Sequence, residues 1–510
     1  MTIYHKMDEN YGWRVVQFFA YGLVLAIISD VPITWGVYFY LARLALAGLL
    51  LSTIFMPLRH GLLLLLILSI VGQDIVSSGI LIADDDFGYA TASIWQLKWG
   101  FINPSWIIFT CLFVQLLRIG KLTNPPLLKR AIFWFATVPV FTGIIYGILY
   151  GGFSRSFITY TGIEAVTDIK FSVMLIASTI LFLSIFKKSP SFLIQALAAF
   201  VGVLLARHLL DLFYVVMNIG PAIAEGVTRG SEDSAKGAVA FLALWGIIMI
   251  WRQKRLLLGM AVTIPSVLLI VAYGTRNLWI TFVLGFVVLL LILGIRRSFS
   301  VILIAATLTF ASIWTLSKVN PDTLYVVGLR FVDIGQGRPI DKFAMLVEDN
   351  IISRVDQVRY AEIINVMDSI RKRYAYLWGV GYGGYYDDTV LPYPVNLKSS
   401  YPKYSLESGR FYRAHEYIFQ MILKFGLVGL VLISTLWVIP GYIMYKIFRR
   451  ENMFAPGQPL MLHGLMLGLV AFLPTAIFQM TWSGKGLFLN GLVIATCIEF
   501  ARHYSIGRQP

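Results

Sequence analysis

The chain contains very little cysteine and little charge for its length. Its two cysteines, Cys111 and Cys497, both fall inside apolar runs, which excludes a disulfide framework and a thiolate metal site. Charged residues make up only 14% of the 510 residues, whereas hydrophobic residues make up 58%. Soluble domains contain roughly 45–50% apolar residues. The composition therefore excludes an ordinary water-soluble globular protein.

Motifs that would indicate a nucleotide or metal enzyme are also missing. The sequence has no phosphate-binding loop with its lysine, no dinucleotide fingerprint and no clustered His/Cys metal spacing. The run Asp84-Asp85-Asp86 could hold a divalent cation, but an acidic external loop is its more ordinary interpretation. We therefore expect no cofactor and no metal.

What the chain has instead is a series of apolar runs of bilayer length, roughly 17–25 residues each. Segments that cross a bilayer must satisfy their backbone hydrogen bonds internally, as helices do. We therefore predict an all-α polytopic membrane protein with about 12–14 transmembrane helices. The run at 237–251 is short, and the run at 415–445 is long enough to contain a break. The runs lie near 15–31, 34–56, 61–82, 101–118, 131–150, 171–186, 191–217, 237–251, 256–274, 277–295, 299–317, 415–445, 460–480 and 486–501.

The excess of basic residues, 42 Lys and Arg against 27 Asp and Glu, follows these runs. Basic clusters fall at every second boundary, and the short loops between them are acidic or mixed. This is the positive-inside pattern of membrane proteins, and it predicts an even number of spans with both termini in the cytoplasm. The net charge therefore indicates orientation in a lipid bilayer and no nucleic-acid partner.

One long polar segment divides the chain into three predicted regions. Residues 1–318 form a bundle of about eleven helices, 319–411 form a large outward loop, and 412–510 add about three helices. Within the loop, Arg354 to Tyr374 carries apolar residues at helical spacing, which predicts a short amphipathic helix. The glycines from Gly379 to Gly384 break this pattern, and 387–405 reads as irregular.

His415 and Glu416 follow the loop directly and open the next apolar run. An imidazole titrates near pH 6.5, so His415 can accept or donate a proton at working pH. Glu416 could orient this imidazole or pair with an arginine. The alternatives are an interfacial histidine bound to a headgroup and an ordinary first-turn acid favoured by the helix dipole.

Several cations are predicted on the same outward side. Arg276 occupies a short outer link, where the orientation rule disfavours it, and a guanidinium suits a pyrophosphate. An arginine that reaches lipid phosphates is the alternative. Arg354 and Arg359 lie on the loop helix, either on a solvated face or over the membrane opening. Arg229 and Lys236 are weaker candidates for the same anion.

Charged residues inside the predicted spans are costly and require partners. Arg43 and Asp74 fall at one depth in the second and third runs. Arg207 and Asp211 are four residues apart on one helix face, with His208 beside them. We expect internal ion pairing in both sets, and their shared position also fits a polar cavity that opens outward.

Three stretches occur in order in the second half of the chain. They are Tyr273-Gly-Thr-Arg276-Asn-Leu-Trp, then Arg359-Tyr-Ala-Glu-Ile-Ile with Trp378-Gly-Val-Gly-Tyr-Gly, then His415-Glu-Tyr-Ile with Gly426-Leu-Val-Gly429. Together they resemble the superfamily of O-antigen ligases and bacterial polysaccharide polymerases. Arg229-Gly-Ser-Glu-Asp-Ser-Ala-Lys236-Gly is also similar to the polar start of an earlier span in that family. The chain departs from the family pattern at Glu416, where asparagine is usual, and at Lys424, where an acid is common.

The resemblance implies a metal-independent glycosyltransferase of the C-type membrane class, in the bacterial cytoplasmic (inner) membrane with its large loop periplasmic or extracellular. Its donor would be an undecaprenyl-pyrophosphate-linked oligosaccharide, and its acceptor a glycan or another lipid-linked molecule. Arg276 and Arg359 would bind and neutralise the pyrophosphate, and His415 would activate the acceptor hydroxyl or orient the substrate. The remaining candidates for substrate binding are Arg354, Arg229, Glu416 and Lys236.

We expect a polysaccharide polymerase that lengthens a surface polysaccharide or exopolysaccharide, with a chain-length regulator or other assembly proteins as candidate partners. The alternative is an O-antigen ligase that moves a finished glycan onto the lipid A-core of lipopolysaccharide or onto another acceptor. A flippase or transporter would instead predict paired halves with internal symmetry, which the sequence does not show. A structural scaffold would leave the outward arginines unexplained.

Overall fold

The computed structural model describes residues 11–31, 36–71, 104–118, 126–151, 162–214, 233–253, 255–272, 276–319, 351–393, 403–414, 417–450, 468–469 and 484–506. Within these ranges the chain forms fifteen α-helices and one sheet of two short strands. The elements are α1 Tyr11–Ser29, α2 Val37–Ser52, α3 Leu58–Val71, α4 Pro104–Arg118, α5 Pro126–Leu149, α6 Gly162–Lys188, α7 Pro190–Tyr214, α8 Asp233–Gln253, α9 Leu256–Ala272, α10 Arg276–Leu293, α11 Ile295–Val319, α12 Ile351–Lys372, β1 Tyr386–Asp387, α13 Lys403–Ser408, β2 Arg410–Phe411, α14 Tyr417–Arg450 and α15 Gly484–Ile506.

The helices are those of an all-α protein that suits a multi-pass membrane location. In the described residues, five segments are long and apolar enough to cross a bilayer, and further apolar helices are shorter. Every predicted apolar run except 460–480 overlaps a described helix, and that run lies outside the described residues apart from 468–469. The five long segments are Tyr11–Ser29, Ala165–Lys188, Ser191–Leu210, Ser298–Thr315 and Tyr417–Leu436.

The helices pack into a bundle whose core is mainly apolar. Helix α7 packs against α1 and α3, α8 against α9 and α10, α6 against α15, and α5 against α14. Helices α1 and α7 approach closely because α7 carries Gly202, where a Cβ atom would lie 2.9 Å from the Cβ of Phe18. Small residues at such contacts are typical of helix packing in membranes.

The buried charges of the bundle have partners, as costly groups in such a core require. Arg207 lies 2.9 Å from both carboxylate oxygens of Asp30, and both side chains are buried. Arg43 donates to the carbonyl oxygens of Ser29 at 2.6 Å and Val31 at 3.1 Å, which the end of α1 leaves without helical partners. Asp30 was not among the expected partners. The expected partners were Asp74 for Arg43 and Asp211 for Arg207. Asp74 and the side chain of Asp211 lie outside the described residues.

The segment between α11 and α14 contains the predicted amphipathic helix, α12, and a small core of its own. Val366 and Ile370 are buried, as the helical spacing predicted. Strand β1 pairs antiparallel with β2, so that Tyr386 lies opposite Phe411. The prediction that 387–405 is irregular is therefore wrong at Asp387, where β1 ends, and at residues 403–405, where the short helix α13 begins. Residues 394–402 lie outside the described residues. The apolar core of this segment continues into Ile422 and Leu423 of α14, so it packs directly on the bundle.

Candidate functional site

Four of the seven candidate residues lie on described helices, where the structure gives their backbone positions but not their side chains. Arg276 is the first residue of α10, and Arg354 and Arg359 lie in α12. The fourth, Lys236, lies in the first turn of α8. The other three, Arg229, His415 and Glu416, lie outside the described residues.

Helix α14 contacts both helices that carry the two main candidate arginines. Helix α10, which begins with Arg276, contacts α14, and so does α12, which carries Arg359. Helix α14 itself begins at Tyr417, two residues after His415. Three stretches that are far apart in the sequence therefore meet on one helix.

The chain on both sides of His415 is firmly packed. Ala414, the residue before it, is buried, and its amide donates to the side-chain oxygen of Gln420 at 2.7 Å. Tyr417 and Gln420 in the first turn of α14 are buried as well. The direction in which the chain enters α14 is therefore fixed from both ends of the His415-Glu416 pair.

Helix α14 is broken at Gly426, which has φ 65° and ψ −169°. In a continuous α-helix the carbonyl of Leu423 would accept from Leu427, and that of Lys424 from Val428. Both bonds are replaced by bonds to the residues 376–385, here called the glycine turn. The amides of Val380 and Gly381 donate to the carbonyl oxygens of Leu423 and Lys424, at 2.7 and 3.0 Å.

The glycine turn also satisfies the other side of the break. The amide of Leu427 donates to the carbonyl oxygen of Tyr376 at 2.8 Å, and that of Val428 to Leu377 at 3.1 Å. Four backbone groups that the break would leave without partners are thus paired. The break falls within the candidate span Tyr417–Leu436, where an unpaired backbone group would cost several kcal/mol in lipid. The turn is therefore part of the folded helix bundle.

Glycine is required at several positions of this contact, of which Gly426 and Gly381 are two. At Gly426 a Cβ atom would collide with the backbone of Leu377. At Gly381, with φ 76°, a Cβ would collide with the backbone of Tyr146 and Gly147 in α5. Both residues also have positive φ, which side chains disfavour. The glycines predicted only to interrupt regular structure therefore seat the turn between α5 and α14.

A buried ion pair binds the same turn from two sides. The Lys424 ammonium lies 2.7 Å from a carboxylate oxygen of Asp168 in α6, and both side chains are almost fully buried. Lys424 also donates to the carbonyl oxygen of Gly384 at 2.8 Å, while Asp168 accepts from the amide of Gly383 at 3.1 Å. A buried ion pair needs such additional hydrogen bonds to offset its desolvation.

Tyr382 anchors the turn to the two neighbouring helices. Its amide donates to the carbonyl oxygen of Gly143 in α5 at 2.8 Å, and its hydroxyl lies 2.7 Å from the Ser172 hydroxyl in α6. Burial raises the pKa of Tyr382; the hydrogen bond with Ser172 lowers it, and the charge of Asp168 adds to the rise. The phenol is therefore a neutral hydrogen-bonding group at working pH.

Arginines also surround the polypeptide that leads to His415. The guanidinium of Arg373 lies over the ring of Tyr385 at 4.4 Å and pairs with Asp387 at 2.8 Å. On β2, Arg410 lies over the same ring at 5.1 Å. The sequence analysis did not single out these arginines.

The sequence analysis also missed Asp168 and gave Lys424 no role beyond a departure from the family pattern. Its predicted apolar run began near residue 171, whereas α6 already begins at Gly162 and so contains Asp168. A lysine inside an apolar run requires a partner, and this was the available signal. In the part of the chain that the structure describes, no cluster of three or more His, Cys, Asp and Glu residues could hold a metal ion.

Comparisons with known proteins do not identify the chain. It matches no model of a known protein family and no curated protein sequence. The resemblance to O-antigen ligases and polysaccharide polymerases therefore rests on the quoted motifs alone and stays a prediction. The contacts of the glycine turn with α5, α6 and α14 are independent of that resemblance.

Proposed function

We propose that the chain is a membrane glycosyltransferase that polymerises a surface polysaccharide or exopolysaccharide. It takes a glycan from undecaprenyl pyrophosphate at the outer face of the bacterial cytoplasmic membrane. The observation that supports this most is the contact of α14 with both α10 and α12. Through it, the helices that carry Arg276 and Arg359 meet the helix that His415 precedes.

In the proposed reaction, the bond between the first sugar carbon of the donor and its phosphate oxygen breaks. A hydroxyl oxygen of the acceptor forms the new bond to that carbon, and His415 accepts the hydroxyl proton. Arg276 and Arg359 neutralise the leaving pyrophosphate, because guanidinium groups bind phosphate oxygens in pairs. Arg354, Arg229, Glu416 and Lys236 contribute to substrate binding around this centre.

The proposed orientation follows the charge pattern of the loops. About 12–14 helices cross the membrane, both termini are cytoplasmic, and the segment between α11 and α14 lies on the periplasmic or extracellular side. This orientation gives His415, Arg276 and Arg359 access to a glycan that has already been flipped outward. Sugar nucleotides are not needed there, because the carrier pyrophosphate activates the donor.

Glycan length in cells that carry His415→Ala tests the proposal. Loss of the polymerase leaves single repeat units on the carrier or acceptor. Long chains stranded on the carrier would instead identify a ligase. A transport defect in a variant that still transfers glycan in vitro would identify a flippase and overturn the proposal. His60→Ala is the matched control, since His60 is an exposed histidine on α3, and it should leave glycan length unchanged.

A further inference from the structure

The glycine turn follows α12 through a short connection that leaves little freedom between them. The amide of Ala375 donates to the carbonyl oxygen of Ile370 at 2.9 Å, and that of Gly379 to Ala375 at 2.8 Å. The Tyr150 hydroxyl at the end of α5 donates to the carbonyl oxygen of Arg373 at 2.9 Å. A displacement of the turn would therefore move α12 with it.

On the other side, the turn is bound to the first half of α14. Lys424 belongs to this half, which runs from Tyr417 to the break at Gly426. The turn thus connects α12, which carries Arg354 and Arg359, with the helical segment that begins just after His415. We call the turn seated when it is bound in the break of α14 by the backbone hydrogen bonds described above. The position of the seated turn sets the distance between α12 and the first half of α14.

The Asp168–Lys424 pair acts on the turn directly. The two charges pair with each other, and each residue also forms one hydrogen bond with the turn. Asp168 accepts from the Gly383 amide, and Lys424 donates to the Gly384 carbonyl oxygen. Asp168 lies on α6, so the pair also ties the turn to a third helix. The two backbone contacts therefore offset the desolvation of the pair and at the same time hold the turn.

We propose that Asp168 and Lys424 are positioning residues, whose ion pair seats the glycine turn in the break of α14. They thereby hold Arg354 and Arg359 at a fixed distance from His415. The role in catalysis rests on the proposed glycosyl transfer, whereas the seating of the turn does not. Neither residue touches the substrate.

The key variant replaces both charges by apolar groups, as Lys424→Met with Asp168→Leu. A buried ion pair replaced in this way leaves no unpaired charge, and such replacements are often neutral for stability. The backbone contacts at Gly383 and Gly384 are nevertheless lost. The matched control is Arg207→Met with Asp30→Leu, which neutralises another buried pair away from the turn.

Seating of the turn is measured by a cysteine pair, Leu377→Cys with Leu427→Cys, in a chain whose Cys111 and Cys497 are replaced by alanine. Both new positions are exposed, and they lie on the two sides of the break contact. A short bifunctional maleimide links them when the turn is seated. Turnover is measured with a purified undecaprenyl-pyrophosphate-linked oligosaccharide.

We expect the Lys424/Asp168 double variant to stay folded but to unfold at a lower temperature than the wild type, because the Gly383 and Gly384 backbone groups lose their partners. It should also lose cross-linking, and lose turnover by about 100-fold, as small misplacements of reacting groups do. Cross-linking before the assay should restore turnover, and the Arg207/Asp30 control should retain both properties. Full turnover in the double variant overturns the proposal, as does lost turnover with full cross-linking. If the wild-type chain cross-links but transfers no glycan, the proposed function fails, and the cross-linking yields alone decide whether the pair seats the turn.

Discussion

The backbone of Leu377 occupies the space that a side chain on Gly426 would fill. One residue belongs to the segment between α11 and α14, and the other to the middle of an apolar helix, so the two parts interlock. Their contact also pairs the backbone groups that the break exposes. The break and the turn can therefore exist only together.

Gly426→Ala is expected to destabilise the protein by about 3 kcal/mol. About 1–3 kcal/mol comes from the backbone conformation, φ 65° with ψ −169°, which is essentially exclusive to glycine. The clash with Leu377 adds to this, since overpacking commonly costs about 1–3 kcal/mol. Thermal unfolding in detergent micelles, followed by intrinsic fluorescence, measures the change.

Two other glycines separate these two contributions. Gly294 has φ 77° and open space at its Cβ position, so Gly294→Ala should show the backbone cost alone. Gly48 lies inside α2 with nothing near its Cβ, so Gly48→Ala should stabilise by about 0.5–1 kcal/mol. If Gly426→Ala costs no more than Gly294→Ala, the interlock with Leu377 is wrong.

Asn365 of α12 is predicted to organise the residues after β1. Its side-chain amide donates to the carbonyl oxygen of Leu391 at 2.8 Å and accepts from the Leu391 amide at 3.1 Å. Asn365→Leu removes both bonds and should cost about 1–3 kcal/mol, because the Leu391 groups lose their partner. Faster amide hydrogen exchange at residues 386–393 in Asn365→Leu would show that these two hydrogen bonds order the segment. Asn365→Asp keeps only the acceptor, so its exchange rates should lie between those of the wild type and of Asn365→Leu. Unchanged exchange in Asn365→Leu would contradict this role.

Tyr382→Phe is expected to reduce the pH dependence of stability in alkali. The pKa of Tyr382 is raised in the fold, so the neutral phenol stabilises the folded state at pH values below about 10, the pKa of an unfolded tyrosine. That contribution is lost as the pH rises through the folded-state pKa. Because the neutral hydroxyl also forms a hydrogen bond with Ser172, the wild type should be more stable than the variant at pH 7 by about 1 kcal/mol. It should lose this advantage above about pH 10. Parallel curves of unfolding temperature against pH would refute the assignment.

The sequence predicted those parts of the fold that depend on local pattern. Apolar runs located the helices, and the spacing after Arg354 located α12, because burial imposes a helical period on the residues that face a core. The excess length of the 415–445 run indicated a break, which lies at Gly426.

The sequence could not predict contacts that join distant segments. The first turns of α6 carry Asp168 and Lys170, which lower the apolar content and made the helix look shorter than it is. Tertiary partners compensate these charges: Lys424 pairs with Asp168, and Lys170 lies 4.5 Å over the ring of Trp106. The partners lie on other helices, so no local sequence pattern predicts them.

Arg207 is expected to be essential for stability, because its removal leaves Asp30 as a buried charge without its partner. Arg207→Met should cost about 3–5 kcal/mol, whereas Arg207→Met with Asp30→Leu should be close to neutral. Unfolding temperatures of the two variants measure the difference. Equal losses in both would show that the packing of Arg207 matters more than its charge.

The final prediction concerns the shape of the cation at position 359. Arg359→Lys keeps the charge but replaces a planar fork by a point charge, which cannot bind two phosphate oxygens side by side. The loss of one charge-assisted hydrogen bond, about 1.5–3 kcal/mol, should lower the rate of glycosyl transfer by tenfold or more. Arg371→Lys is the matched control, since Arg371 is exposed in the last turn of the same helix. Initial rates with a purified undecaprenyl-pyrophosphate-linked oligosaccharide measure both. Equal rates in the two variants would show that α12 presents a general positive charge and that Arg359 does not bind the pyrophosphate.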